Sequence, residues 1–136
     1  MKKIGALLFT LVLLYGLASL FHFSHNAIYL ERYPNMPAWI SRSGVMGAWL
    51  SIAAIGVVGC AALLGDYRKI GLAILGLYAA MGFDGLAHYC LAPISAHSLP
   101  MNFSIWLEVL AAALLLTAVC AQALGVLRAS RIPRQA

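Results

Sequence analysis

Four long apolar runs constrain this chain more than any other feature. They cover roughly residues 4–29, 44–64, 70–89 and 103–127. A helix needs about 20 apolar residues to cross a hydrocarbon core, and each run has that length. The runs are too long for the strands of a membrane barrel, and an open sheet edge cannot face lipid. Of 136 residues, 63% are hydrophobic and 10% charged; that is too little polar surface to cover a water-soluble domain of this size. The expected fold is an all-α integral membrane protein, one domain over 1–136 built as a bundle of four transmembrane helices.

Lys and Arg set the expected orientation, because they accumulate in short cytoplasmic loops. With the N-terminus inside, Lys2, Lys3, Arg68, Lys69, Arg128, Arg131 and Arg134 are cytoplasmic, against Arg32 and Arg42 outside. Both termini are then cytoplasmic, and the longer loops, 30–43 and 90–102, face outward. MKKIGALLFTLVLLYGLASL also has the Lys-Lys start and small residues of a secretory leader, but its apolar run exceeds a usual leader core. The Lys-Lys start and compact polytopic body suggest the bacterial inner membrane, so the outer side would be periplasmic. The basic tail RASRIPRQA fits the same bias and has no interleaved aromatics, so no nucleic-acid partner is expected. Phosphate-binding loops, dinucleotide fingerprints and nucleophile elbows are missing from the sequence.

Set on this topology, His22, His25, Asp84, His88, His97 and Glu108 all fall in the outer half of the bundle. Residues three or four apart share a helix face. His22, His25 and Asn26 therefore make one polar stripe, Asp84 and His88 a second, and Ser104 and Glu108 a third. Ionisable groups within a membrane segment are costly and usually face the bundle interior, where they mark function. Imidazoles with carboxylates are the ligand inventory of a first-row transition-metal site, and helical bundles build such sites from inward side chains. His22, His25, Asp84 and His88 are the expected ligand core. His97 and Glu108 either complete it or orient it through hydrogen bonds to ring N–H groups.

Asp84, three residues, His88 and then His97 resembles the Asp-x-x-x-His…His copper motif in a membrane subunit of the particulate methane and ammonia monooxygenases. The likeness spans the 14 residues from Asp84 to His97, and the loop between the histidines is shorter here. It implies copper at the periplasmic side of a helical bundle. Zinc or iron suits the same residues, and haem held by histidines of helices 1 and 3 is the less favoured cofactor.

The loop LERYPNMPAWISRSG contains Pro34 and Pro37, which stop helix 1, and Tyr33 and Trp39, amphipathic aromatics expected at headgroup depth. It reads as an interfacial anchor or a lid, with Arg32 and Arg42 touching lipid phosphates. Gly44 with Ala48, Gly76 with Ala80, and Gly82 and Gly85 around Asp84 are small residues that allow close helix approach. Cys60 and Cys120 read as packing residues, and Cys90 at the rim as a packing residue or a soft-metal ligand; three cysteines imply no disulfide framework. Three functions fit. One is a metalloprotein for oxidative chemistry on an apolar substrate or for metal handling. Another is a metal-free enzyme using Glu108 or Asp84 with histidine for acid–base work on a lipid-like substrate. The third is a non-catalytic subunit of a membrane complex or homo-oligomer.

Overall fold

The computed structural model describes residues 5–131, with side chains through 128. Ile4, Lys2, Lys3 and Arg134 lie outside the described residues, as does the side chain of Arg131. The helices are α1 (Ala6–Ile28), α2 (Arg42–Leu64), α3 (Arg68–Met81), the single turn α4 (His88–Leu91) and α5 (Leu99–Arg131). Short 3-10 turns occupy Leu30–Arg32, Asp84–Ala87 and Ile94–Ala96. Four segments are long and apolar enough to cross a membrane: Ala6–Ile28, Arg42–Leu64, Arg68–Leu91 and Leu99–Arg128. Large apolar residues such as Leu17, Leu50, Val57 and Leu110 point out of the bundle, as lipid-facing positions do.

Local chemistry sets the boundaries. Ser41 caps α2, its Oγ accepting from the Gly44 N–H at 3.1 Å. At the other end, the Tyr67 N–H returns to Ala62 O at 2.9 Å and the Asp66 N–H to Leu63 O at 3.3 Å. This is a Schellman closure with Asp66 in the left-handed region at φ 64°. It turns the chain straight back into α3. α5 begins four residues before the expected start at 103, because Pro100 sits in the first turn, where its missing N–H has no intrahelical partner to lose.

The bundle closes as a ring, α1 packing on α2 and α5, and α3 on α2 and α5. The α2–α3 seam is the tightest, but not through the small residues expected from the sequence. A Cβ on Gly76 would meet only Val119, at 3.7 Å. The close approaches are instead at Gly56, against the Tyr78 ring, and Gly71, against Leu63.

The expected continuous third helix is broken. α3 stops at Met81, and a 3-10 turn follows before the chain re-enters helix at His88. Gly82 lies against Tyr15 of α1 and Ala112 of α5, where a Cβ would sit 2.5 Å from atoms of both. Backbone irregularity is tolerated at membrane depth only where protein or a cavity surrounds it, and both conditions hold at this break. It sets Gly85 against α1 and α5 and His88 against α1.

Gly82→Ala is therefore expected to lower unfolding stability in mild detergent by about 1–3 kcal/mol through overpacking. Gly47→Ala, where a Cβ meets nothing within 4 Å, should stay within about 0.5 kcal/mol of the parent.

Candidate functional site

The inward stripe of α1 is Tyr15, Ser19, His22 and Asn26, all buried, with spacings of four, three and four residues. His22 is 2% exposed and faces α5, where Ser104 and Glu108 are both fully buried one turn apart. The Ser104 hydroxyl donates to the Met101 carbonyl at 2.9 Å, so its only proton is used. The 3.2 Å contact between His22 Nδ1 and Ser104 Oγ therefore has one reading: Nδ1–H donates and Ser104 accepts. His22 Nε2 is left to face Glu108 Oε2 at 3.7 Å.

This fixes the proton count. A bare carboxylate beside a neutral imidazole would leave a buried charge without compensation, which is costly. One proton between Nε2 and Oε2 gives a net-neutral pair, as acid with imidazole or as carboxylate with imidazolium. Gly85 packs directly against the pair: a Cβ there would lie in van der Waals contact, 3.4 Å from Glu108 Oε2 and 3.7 Å from His22 Nε2. Neither Glu108 oxygen has a hydrogen-bond partner among the described residues, nor do the buried hydroxyls of Ser19 and Tyr15. Ser19 lies beside both Glu108 and Tyr15.

His88 extends the site toward the loops. Its ring meets that of His22 edge-on, centroids 5.5 Å apart, and its Nε2 accepts from Asn26 Nδ2 at 3.2 Å, leaving Nδ1 to carry its proton. His97 follows, 6.1 Å from His88 between centroids. Its Nδ1–H donates to Pro93 O at 3.1 Å, while the buried Nε2 has no partner among the described residues. Asn102 holds this loop by donating to Ile94 O and His97 O, and Tyr89 donates to Asn102 Oδ1.

Two expected positions are corrected. His25 is not part of the inward stripe; it is only half-buried, bonds to the Tyr33 hydroxyl at 2.9 Å and lines a rim cavity with Arg32 and Ser98. Tyr33 is not a headgroup anchor; it is 3% exposed, with its ring 4.8 Å from that of His88. Burial pushes the Tyr33 phenol above its ordinary range, so it keeps its proton. Arg42 is held by Glu31 at 3.1 Å, and Trp39 is 84% exposed. Cys90 and Cys120 are exposed, while Cys60 is half-buried against the core.

Asp84 stands apart from the His22–Glu108 pair. It lines a cavity of about 520 Å³ with Phe23, Asn26, Trp39, Val45 and His88. The site thus has a sealed inner part and an open outer part, joined by His88 and Asn26. The residues expected as metal ligands, His22, His25, Asp84, His88 and His97, do not converge as a ligand set. Among the described residues, no three His, Cys, Asp or Glu side chains are placed to hold one metal ion. No family model, curated protein or solved structure matches the chain.

Ser104→Ala should leave the His22 Nδ1–H buried and unpaired, at a cost of about 1–3 kcal/mol, read as reduced thermal stability in detergent. Ser51→Ala, which removes an exposed hydroxyl bonded to its own helix, should change stability by no more than about 0.5 kcal/mol.

Proposed function

We propose that this protein is a membrane-embedded acid–base enzyme that moves a proton on an apolar, lipid-like small molecule. The observation that carries the reading is the buried His22–Glu108 pair, whose facing atoms stand 3.7 Å apart. Ser19 is the polar side chain beside Glu108, and the carboxyl is otherwise enclosed within the bundle. Buried carboxyl and imidazole groups held near a cavity are the usual furnishing of proton transfer.

In this reading His88 is the catalytic group. It lines the cavity beside Asn26 and Asp84, so it can touch a bound substrate, and its ring abuts His22. Asn26 fixes its orientation. His22 packs edge-on behind the His88 ring, with Glu108 beyond it, so the pair sets the electrostatic surroundings in which His88 gives or takes a proton at the cavity. The apolar walls exclude water, which strengthens these interactions. Double-bond or keto–enol isomerisation is the reaction type suited to such a site. On the positive-inside distribution of Lys and Arg, the site opens to the periplasmic side of a bacterial inner membrane.

A second reading is a transition-metal centre of copper, zinc or iron. Its support is the contiguous run of His22, His88 and His97, with centroids 5.5 and 6.1 Å apart, and the free Nε2 of His97.

Incubation of the detergent-solubilised protein with membrane lipid extract in deuterated water separates these readings. The acid–base account expects a lipid species to gain deuterium, with the rate falling at least about 100-fold in His88→Ala and strongly in Glu108→Gln. Absence of exchange, together with a near-stoichiometric metal that is lost in His88→Ala on elemental analysis, would replace it with the metal reading.

A further inference from the structure

The 520 Å³ cavity is within the range of roughly 300–1,000 Å³ typical of small-molecule sites. Its walls are mostly apolar, from Phe23, Met36, Trp39 and Val45, and among its few polar groups is one carboxylate, Asp84. Asp84 keeps exposed surface on the cavity wall, and its carboxyl faces the backbone N–H groups of Asp84 and Gly85 at the helix break. It takes part in neither ion pair found among the described residues: these join His22 to Glu108 and Arg42 to Glu31. The remaining nearby cation, Arg32, stacks over the Tyr29 ring 5.3 Å away and lines the other rim cavity with His25.

A carboxylate within a segment apolar enough to span a membrane requires a counter-charge or a proton. Among the described residues no cation forms an ion pair with Asp84, although Arg32 and Arg42 stand at either end of the adjoining loop. We infer that the counter-charge arrives with a ligand: the cavity binds a lipophilic amine, an apolar body carrying a protonated nitrogen. The nitrogen pairs with Asp84, and the body lies along Phe23, Met36 and Val45. Trp39 supplies an aromatic face for the ammonium; its exposure leaves it free to close over a bound molecule. The inference deepens the acid–base reading, because a cation bound there occupies the place where positive charge develops when a proton is delivered to an apolar substrate, and such charge mimics bind well. Binding itself requires no proton transfer.

The probe is dibenzylmethylamine, compared with dibenzyl ether of similar shape and no charge, titrated against the full chain in mild detergent with thermal unfolding as readout. The amine should give a saturable rise in unfolding temperature, and the ether should bind about tenfold more weakly or not at all. Asp84→Asn should lose about tenfold for the amine and nothing for the ether. Ser51→Ala, whose hydroxyl bonds only to its own helix and lies outside the cavity lining, should bind the amine as the parent does. Equal binding of amine and ether by the parent protein overturns the inference without requiring any variant to fold, and so does undiminished amine binding by Asp84→Asn. If the amine fails to bind while lipid deuteration persists, the inference falls and the acid–base reading stands. If it binds and deuteration is absent, the reverse holds.

Discussion

The polar end of this bundle depends on the cost of placing an ionisable group where water cannot reach it. Glu108 is fully buried and His22 nearly so, and 3.7 Å separates their facing atoms. Neither is tolerable alone as a charge in such a place; together, with one proton, they are neutral. Ser104 decides which nitrogen takes part. Because its hydroxyl is committed to Met101 O, it can only accept from His22 Nδ1, and Nε2 is thereby aimed at the carboxyl. A serine with a spare proton would leave the tautomer undetermined.

The broken third helix serves this pair. At the break, a Cβ on residue 82 would sit 2.5 Å from atoms of Tyr15 and Ala112, so glycine there lets α1 and α5 close against the irregular turn. The same irregular turn places Asp84 on the cavity wall and His88 between the cavity and His22. One short stretch thus sets both features: Gly82 admits Tyr15 and Ala112, and the turn after it stands between the buried His22–Glu108 pair and the open cavity.

Much of this was legible in the sequence, for reasons that differ by residue. The four spans follow from run length alone, and the level at which His22, Asp84, His88 and Glu108 meet follows from helical rise and alternating chain direction. The pairing of Ser104 with Glu108 on one face is helical spacing. His25 was misjudged because three residues along a helix share a face only approximately: the rotation of about 100° per residue leaves it on the shoulder, where Tyr33 captures it. Continuing the stripe backward from Asn26 and His22 in steps of four and three would have found Ser19 and Tyr15. Tyr33 had no such signal, since how a proline-containing loop folds back is set by tertiary contact. The helix break was equally hidden, because glycine is common in continuous membrane helices too. Metal ligation was inferred from residue types, and residue types do not specify whether side chains converge.

The central claim concerns a single proton and a single tautomer, and nitrogen NMR of histidine-labelled protein addresses it directly. The account predicts that His22 carries hydrogen on Nδ1 and that its Nε2 resonance shows hydrogen bonding or protonation that changes in Glu108→Gln. A His22 protonated only on Nε2, with a resonance indifferent to Glu108→Gln, would contradict it.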